Sequence, residues 1–377
     1  MADDATAPST PRIRSAVARL AGYRPGPPVR SPEGRAYPLA ANESPYGPPP
    51  AVLAAIAAGT ADAHRYPDPG CGALTAELAE HLGVPADAVA VGCGSVGVTR
   101  TLLETVAEPG TEVLYAWRSF EAYPLLTALS GATPVEVPLR DGRHDLAAMA
   151  AAITPRTRMV LVCNPNNPTG TVVRGAELEE FLDRVPADCL VVLDEAYREY
   201  VRDPGTPDGL DLLAGRPNVL VLRTFSKAYG LAGLRVGYAV GRPELVAQVR
   251  KAAVPFGVSG VAQAAAVAAL RSGPQLLARV ERTVRERERV GAALLGLGLP
   301  VLRSEANFLW LPLGAATDAF HARCSAAGVA VRSFPGEGTR VSIGSPEEND
   351  AFLTAAAAAS AEVTGAVGAA ADAAARR

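Results

Sequence analysis

Short runs of aliphatic and β-branched residues alternate with stretches of helical periodicity through the middle of this 377-residue chain. Such runs are typical of buried strands, and the stretches between them are typical of helices. We predict strands at 88–91, 112–116, 133–138, 159–163, 190–193 and 219–222. Helices are predicted between most of them, including one that opens near Ser95 and ends at Val106 and one at 175–185. This alternation predicts an α/β domain with a mostly parallel sheet between helices.

The pattern changes after residue 255. Two long helices, at 258–271 and 274–296, are predicted to lead into a second unit. That unit is predicted to contain a strand at 307–311, a helix at 316–327, strands at 329–332 and 340–343, and a closing helix from Pro346. This mixture is typical of a smaller α+β domain.

Four segments follow from these patterns. Residues 39–255 are expected to form the large domain and 256–361 the small C-terminal domain, with an N-terminal arm at 1–38 and a flexible Ala-rich tail at 362–377. Within the arm, the first ten residues are expected to be disordered, 11–23 to form a short helix, and 25–38 to be extended because the segment is rich in Pro and Gly.

Composition narrows the function classes. The net charge is −3 and 49% of the residues are hydrophobic, so the chain is typical of a globular protein and we expect no nucleic-acid or membrane partner. The five cysteines form no Cys-x-x-Cys pair and the four histidines have no metal spacing, so we expect no metal site. Unpaired cysteines and the lack of an apolar signal segment favour the cytoplasm.

Polar motifs follow three of the predicted strands. They occupy residues 164–170, 194–197 and 226–227. Because the carboxyl ends of parallel strands meet at one edge of the sheet, we expect a single site there.

Lysine is rare in this chain. Lys227 and Lys251 are the two lysines among 36 Lys+Arg residues. A lysine amine can lose its proton and attack an aldehyde, whereas a guanidinium stays protonated. Lys227 lies in a small, glycine-rich motif and is a candidate nucleophile, although a lone lysine is more often a surface charge. Lys251 has no comparable neighbours and is expected to be an ordinary helix-surface residue.

The other motifs supply what an electron-withdrawing cofactor needs. The turn at 94–97 opens a helix whose free N–H groups suit a phosphate, as does the guanidinium of Arg235. Asp194 follows a buried run and needs a cationic partner such as a protonated ring nitrogen. Tyr197 and Asn167 can donate to a ring oxygen. Each motif alone also fits a plain turn, a helix cap or a structural ion pair.

Together the motifs resemble a known family. The segments Cys163-Asn-Pro-Asn-Asn-Pro-Thr-Gly170, Asp194-Glu-Ala-Tyr197 and Ser226-Lys-Ala-Tyr-Gly-Leu-Ala-Gly-Leu-Arg235 resemble the fold-type-I pyridoxal-phosphate aminotransferases, in the histidinol-phosphate/aromatic branch. Residues 39–47 and 65–68 resemble the N-terminal motifs of that branch. Residues 117–124 and 346–350 are similar to its actinobacterial aromatic (phenylalanine) aminotransferases. The resemblance covers about 39–353 and implies a mostly parallel seven-stranded sheet in the large, cofactor-binding domain.

The resemblance also implies roles for individual residues. Lys227 would bind the aldehyde of pyridoxal 5′-phosphate and then move a proton between the substrate Cα and the cofactor. Asp194 would pair with the ring nitrogen, Asn167 and Tyr197 would hold the ring oxygen, and Phe120 would stack on the ring. The residues implied to hold the phosphate are Ser95, Val96, Thr224, Ser226 and Arg235.

Partners are implied in the same way. Tyr66 would reach the phosphate of a neighbouring subunit, which implies a homodimer with shared active sites. The substrates would be an amino acid and a 2-oxo acid. The residues implied to bind them are Arg340, which would pair with the substrate carboxylate, together with Arg332, Asn42 and Tyr23.

Three activities remain open within this branch or near it. The motif at 117–124 favours aromatic amino acids. Arg332 keeps histidinol phosphate open, because the histidinol-phosphate enzymes use an arginine of this strand for the substrate phosphate; Ala40, where those enzymes often have Asn, disfavours it. A threonine-phosphate decarboxylase would share the cofactor motifs. A cofactor-binding transcriptional regulator is disfavoured because the first 38 residues are too few for a DNA-binding domain.

Overall fold

The computed structural model describes residues 11–20, 30 and 34–375. The predicted disorder at 1–10, most of the predicted extended arm and the candidate residue Tyr23 lie outside the described residues. Of the helix predicted at 11–23, the described part contains one turn, α1 (Ser15–Ala18).

The strands and helices of the described residues have the following bounds. The strands are β1 (Tyr37–Pro38), β2 (Val89–Cys93), β3 (Glu112–Trp117), β4 (Thr133–Pro138), β5 (Thr157–Cys163), β6 (Leu190–Asp194), β7 (Val219–Thr224), β8 (Val236–Val240), β9 (Phe308–Leu311), β10 (Val329–Ala330), β11 (Arg332–Phe334) and β12 (Gly338–Ser342). The longer helices are α2 (Pro50–Gly59), α3 (Gly72–Leu82), α4 (Gly94–Val106), α5 (Ala122–Ser130), α6 (Leu146–Ala151), α7 (Gly175–Arg184), α8 (Pro243–Ala252), α9 (Gly260–Arg271), α10 (Gly273–Gly296), α11 (Thr317–Ala326) and α12 (Pro346–Ala375).

The central sheet has seven strands in the order β2-β8-β7-β6-β5-β3-β4 within the described chain. The neighbours from β7 to β4 pair in parallel, whereas β8 pairs antiparallel with both β2 and β7. The predicted α/β fold and mostly parallel sheet are confirmed, and all six predicted strands of this sheet are present. The pattern did not single out β8, which completes the sheet between β2 and β7.

A three-stranded antiparallel sheet in the order β11-β12-β9 forms the centre of the second unit. Alternate side chains of a strand point to opposite faces. Leu309, Leu311 and Val341 join the hydrophobic core built with α11 and α12. Phe308 of the other face joins the core of the large sheet instead. One face of the small sheet is therefore anchored in its own core, and the opposite face is turned toward the large domain.

The C-terminal segment contains a helix that the sequence interpretation did not extend so far: α12 continues through Ala375. The flexibility expected of residues 362–377 stays a prediction. Alanine has the highest helix propensity of any residue, so an Ala-rich stretch can extend a helix that is already nucleated. Phe352, Ala356, Ala359 and Val363 of this helix are buried against the small sheet, at helical spacing.

The predicted domain boundary after residue 255 stays a prediction. Helix α9 packs against α2 and α3, and Ala262, Ala265 and Ala266 on it share a core with the central sheet. Helix α10 contacts α12 of the second unit. In the part of the chain that the structure describes, no helix is both long and apolar enough to cross a bilayer.

Candidate active site

Three polar loops meet at one edge of the central sheet, as predicted. Asp194, the last residue of β6, lies opposite Cys163 of β5 and opposite Leu222 of β7. The loops that follow β5, β6 and β7 carry Asn167, Tyr197 and Lys227. Parallel pairing of these three strands therefore brings the predicted motifs together.

Lys227 lies among charged and polar groups. Its Nζ donates a hydrogen bond to the backbone carbonyl of Ala41 at 3.0 Å and lies 5.9 Å from the ring centre of Tyr197. Burial, with a further contribution from the positive charges of Arg340 and Arg235, lowers the pKa of Lys227 to about 7. A substantial fraction of the amine is thus neutral at physiological pH, which is the form that attacks a carbonyl.

Asp194 is buried and has two donors. Tyr123 Oη donates to Oδ2 at 2.7 Å, and the backbone N–H of Ala196 donates to Oδ1 at 3.2 Å. Burial raises the pKa of Asp194, whereas the Tyr123 hydrogen bond and the charge of Lys227 oppose that rise. The ring of Tyr123 is buried, and its hydroxyl holds Asp194.

The start of α4 forms a cradle with Arg235. No side chain caps this helix, and its first turn contains no acidic residue. A Cβ on Gly94 would lie 2.5 Å from Nη2 of Arg235, and a Cβ on Gly237 would lie 2.3 Å from the backbone nitrogen of Ser95. Glycine at both positions thus lets the guanidinium and β8 approach the helix start closely. The free N–H groups and the guanidinium together suit a phosphate.

The remaining predicted phosphate contacts surround this cradle. Arg235 donates through Nη1 to Ser226 Oγ at 3.2 Å and to the carbonyl of Ala232 at 2.9 Å. Ser226 N–H donates to Thr224 Oγ1 at 3.1 Å. Val96 lies in the first turn of α4 and is partly buried against the core. The structure therefore brings all five residues to one place.

Four successive backbone carbonyls tie the segment 39–42 to both sheets. The carbonyl of Leu39 accepts from Ser342 N–H at 2.8 Å, and that of Asn42 accepts from Asn307 Nδ2 at 3.0 Å. Between them, the carbonyl of Ala40 accepts from Arg340, while the carbonyl of Ala41 accepts from Lys227 as described above. The segment thus runs as a seam between Lys227, in the loop after β7 of the large sheet, and Arg340 of the small sheet.

Asn42 is fixed at this seam. It is buried with φ of 55°, a left-handed conformation that Asn tolerates better than most residues. Its Nδ2 donates to Tyr197 Oη at 3.0 Å, while Ser342 Oγ donates to its Oδ1 at 3.1 Å. The ring of Tyr197 packs edge-on against Phe308 at 5.0 Å. Asn42 therefore orients Tyr197 and supports the seam.

Arg340 of β12 is the cation of the small sheet nearest this seam. Its Nη1 donates to Asn167 Oδ1, and its Cζ lies 5.5 Å from the ring centre of Phe308. Arg340 is 7% exposed, and its Nε has no hydrogen-bond partner among the described residues. A buried guanidinium with an unused donor is suited to binding a carboxylate.

Asn166 locks the loop after β5 against the loop after β3. Its Oδ1 accepts from Ser119 Oγ at 2.7 Å and from His144 Nε2 at 3.1 Å. Since a carboxamide oxygen only accepts, His144 carries a proton on Nε2. Burial lowers the pKa of His144 to about 4, so the ring is neutral. This network sets the positions of the neighbouring residues Asn167 and Phe120.

Arg332 is less available than expected. Its Nε and Nη2 both donate to the carboxylate of Glu121, at distances of 2.8 to 3.1 Å. The sequence gave no sign of this pair, because the two residues lie 211 positions apart. Arg332 therefore belongs to a closed ion pair at the rim of the site.

Tyr66 remains apart from this site within one chain. It is 83% exposed and packs against Phe256 at 4.7 Å on the surface, so its hydroxyl lies outside the site of its own chain. Phe120 is partly buried and packs edge-on against Tyr123 at 5.6 Å.

The sequence interpretation missed the aromatic face of the small sheet. Trp310 and Phe334 pack edge-on at 5.3 Å, and Phe308 lies on the same face. Their spacing of two residues in β9, and that of Arg332 and Phe334 in β11, is the signal that reveals such a face. The described residues contain no cluster of His, Cys, Asp and Glu that could hold a metal ion, and all five cysteines are free.

The geometry agrees with similarity to known proteins. The profile of the family "Aminotransferase class I and II" matches residues 36–355. An aromatic amino acid aminotransferase of Thermobifida fusca is 62% identical over 92% of this chain and 96% of its own length. One of Streptomyces avermitilis is 57% identical over the same shares.

A solved structure has the same fold. Histidinol-phosphate aminotransferase of Sinorhizobium meliloti, in complex with pyridoxal-5′-phosphate, matches with a TM-score of 0.84 and 30% identity. The match covers 96% of this chain and 99% of that protein. The fold type therefore includes proteins that bind this cofactor.

The lowered pKa of Lys227 predicts a pH-dependent stability for the protein freed of small molecules. Below about pH 7 the folded and unfolded states both carry the charged amine, and the folded state bears the cost of burying it. As the pH rises toward the usual value of 10.5, the folded amine is already neutral and that cost disappears. We expect Lys227→Met to gain stability over the wild type near and below pH 7, and to lose this gain at high pH.

Urea unfolding from about pH 6 to pH 10 measures this trend. The exposed Lys251, which bonds Gln248 Oε1 at 2.9 Å, provides the control. Lys251→Met should show no pH-dependent gain. A difference between Lys227→Met and the wild type that stays constant with pH would contradict the prediction.

Proposed function

The chain belongs to the class I and II aminotransferase family, and we propose that it transfers the amino group of an aromatic L-amino acid to 2-oxoglutarate with pyridoxal 5′-phosphate as cofactor. The observation that carries this proposal is the placement of Lys227. Its amine has a pKa of about 7 and lies under the influence of Asp194, Arg235 and Arg340. An amine, a buried carboxylate and two separated guanidinium groups are the set that this reaction needs.

The residues present fit the cofactor. The cradle at Gly94 and Arg235 suits its phosphate, and the buried carboxylate of Asp194 suits its ring nitrogen. Tyr197 Oη and Asn167 Nδ2 would be the donors for its ring oxygen. When bound, pyridoxal phosphate supplies an aldehyde and a ring that withdraws electrons from the substrate Cα.

Individual side chains carry out the proton transfer and the substrate binding. Lys227, neutral in part near pH 7, accepts the proton that leaves the substrate Cα and later returns it. Asp194, oriented by the hydroxyl of Tyr123, would face the ring nitrogen, and its carboxylate would favour the protonated form of that nitrogen. Arg340 holds the substrate carboxylate, and Asn167 fixes the guanidinium. Segment 39–42 fixes the positions of Lys227 and Arg340 relative to each other, because its carbonyls accept from both.

Two observations support an aromatic substrate. The curated relatives at 62% and 57% identity are named aromatic amino acid aminotransferases. The face of the small sheet that carries Arg340 also carries the rings of Phe308, Trp310 and Phe334. Aromatic side chains offer a ring substrate both apolar area and edge-to-face contacts.

Histidinol phosphate is the second candidate. The structural likeness to the Sinorhizobium meliloti enzyme and the presence of Arg332 favour it. The bidentate pairing of Arg332 with Glu121 weighs against it, since the guanidinium already has a carboxylate. We therefore place aromatic amino acids first.

We further infer a homodimer with shared sites. Tyr66 and Phe256 form an exposed aromatic pair, and Val254 beside them is 71% exposed. Apolar side chains exposed together often mark an interface. In a two-fold dimer this surface would face its own copy, and Tyr66 would extend toward the phosphate cradle of the partner.

A comparison of substrates tests the proposed function. We expect kcat/KM for phenylalanine and tyrosine, with 2-oxoglutarate as acceptor, to exceed that for histidinol phosphate by at least about tenfold. Glutamate should form in equal amount to the oxo acid, which separates transamination from decarboxylation. Faster turnover of histidinol phosphate, or release of carbon dioxide, would overturn the proposal.

The two lysines offer a matched test of the nucleophile. Lys227→Arg keeps a positive charge but removes the amine, so we expect transamination to fall by at least about a thousandfold. Borohydride treatment of the cofactor-loaded protein should trap a cofactor adduct on Lys227 in the wild type and none in the variant, by mass spectrometry. Lys251→Arg should keep both the adduct and the activity. Equal effects of the two substitutions would exclude the assigned role.

Arg340 should serve every amino acid alike, because each has the α-carboxylate. Charge-assisted hydrogen bonds predict that Arg340→Gln lowers kcat/KM for phenylalanine and tyrosine by about a hundredfold or more, mainly through KM. Arg100→Gln, which removes an exposed arginine paired with Glu104, is the control and should leave both values unchanged. A loss confined to one amino acid would contradict this role.

A further inference from the structure

Two arginines lie side by side on the site-facing surface of the small sheet. Arg332 of β11 is paired directly with Arg340 of β12. Side chains of directly opposed residues lie on the same face, about 5 Å apart at Cβ. The guanidinium of Arg332 lies 5.7 Å from the ring centre of Phe334, and that of Arg340 lies 5.5 Å from that of Phe308. Two cations thus line one anion-binding surface.

The two arginines differ in their partners. Arg340 bonds the uncharged oxygens of Asn167 and Ala40, so its positive charge is not neutralised by these contacts. Arg332 donates through two nitrogens to both oxygens of Glu121. One cation is thus available for an anion, and the other is engaged in an internal ion pair.

The difference in pairing between the two arginines determines how much negative charge on a ligand this surface can balance. A carboxylate carries one negative charge and is satisfied by Arg340 alone. A phosphate ester carries up to two charges near neutral pH and gains most when both guanidinium groups face it. With Glu121 in place, the Glu121–Arg332 pair has no net charge, so a dianion meets one uncompensated guanidinium instead of two.

Glu121 also influences Arg340 directly. Burial lowers the pKa of Arg340, the negative charge of Glu121 opposes that shift, and the positive charge of Arg332 adds to it. The carboxylate of Glu121 is therefore close enough to act on the cation that receives the substrate.

We propose that Glu121 is a specificity-determining residue, which withholds Arg332 from the anion site at Arg340 and thereby selects substrates anchored by a carboxylate over substrates anchored by a phosphate. The proposal rests on the proposed function, since it concerns the substrate of the same site. In this role Glu121 exerts its main effect by pairing with Arg332, so it is a positioning residue.

The structure contains a matched control. Arg118 Nε donates to Glu337 Oε2 at 2.7 Å, and this second ion pair also joins the loop after β3 to the small sheet. Its glutamate is 42% exposed, against 41% for Glu121. Glu337→Gln thus removes a similar inter-domain contact but leaves Arg332 paired.

The experiment uses the cofactor-loaded enzyme without an amino acceptor. Loss of the cofactor absorbance after rapid mixing gives the second-order rate constant of the first half-reaction, separately for phenylalanine and histidinol phosphate. We expect Glu121→Gln to raise the ratio of histidinol phosphate to phenylalanine by at least about tenfold. Glu337→Gln should leave the ratio within about twofold of the wild type. The double variant Glu121→Gln/Arg332→Gln should lose the gain.

Inorganic phosphate supplies a measurement that needs no turnover of a phosphorylated substrate. We expect its inhibition constant against the phenylalanine half-reaction to fall by at least about tenfold in Glu121→Gln and to change little in Glu337→Gln. The same fall in both variants would show a loosened domain contact and would overturn the proposal.

The outcomes separate this inference from the proposed function. If wild-type enzyme does not react with phenylalanine, the proposed function fails. If it reacts with phenylalanine but Glu121→Gln leaves both the substrate ratio and the phosphate inhibition unchanged, the function stands and the role of Glu121 is wrong. A gain that persists in the double variant would also refute the role, because it would not depend on Arg332.

Discussion

The seam at residues 39–42 is the constraint on which the site depends. Its consecutive carbonyls accept from Ser342 and Arg340 of β12, from Asn307 directly before β9, and from Lys227 in the loop after β7. Hydrogen bonds from charged groups are stronger than neutral ones and leave little freedom in position. A segment outside both sheets therefore fixes the distance between the nucleophile and the cation that holds the substrate. Domain packing alone would not provide that precision.

The seam has an electrostatic consequence. Burial is the main cause of the lowered pKa of Lys227, and the seam adds to it by holding the positive charge of Arg340 close to the amine. The negative charges of Glu43 and Asp194 counter part of this shift, and Tyr123 keeps the carboxylate of Asp194 oriented. The pKa of about 7 therefore depends on segments remote in sequence as well as on the motif around Lys227. Loosening the seam would change reactivity without altering any reacting group.

Sequence periodicity predicted what depends on local patterns. The strands at 133–138 and 190–193, the helix at 175–185 and the convergence of three motifs at one edge needed only the periods of two and 3.6 residues. Strand β8 was not singled out because it follows directly on the glycine-rich motif that ends at Arg235. The tail helix was missed because alanine gives little contrast between faces. Partners remote in sequence, such as Tyr123 for Asp194, leave no local signal at all.

Arg332 shows why a residue type does not determine specificity. Its presence in β11 favours a phosphorylated substrate, and the sequence alone predicts nothing further about specificity. Its positive charge, however, can bind a ligand only if no neighbouring carboxylate pairs with it. Glu121, which is remote in sequence, forms such a pair. Two homologous sites with the same arginine can therefore present surfaces that differ by a full charge. Under the role that we propose for Glu121, substrate choice between carboxylate and phosphate depends on the contact between the loop after β3 and the small sheet.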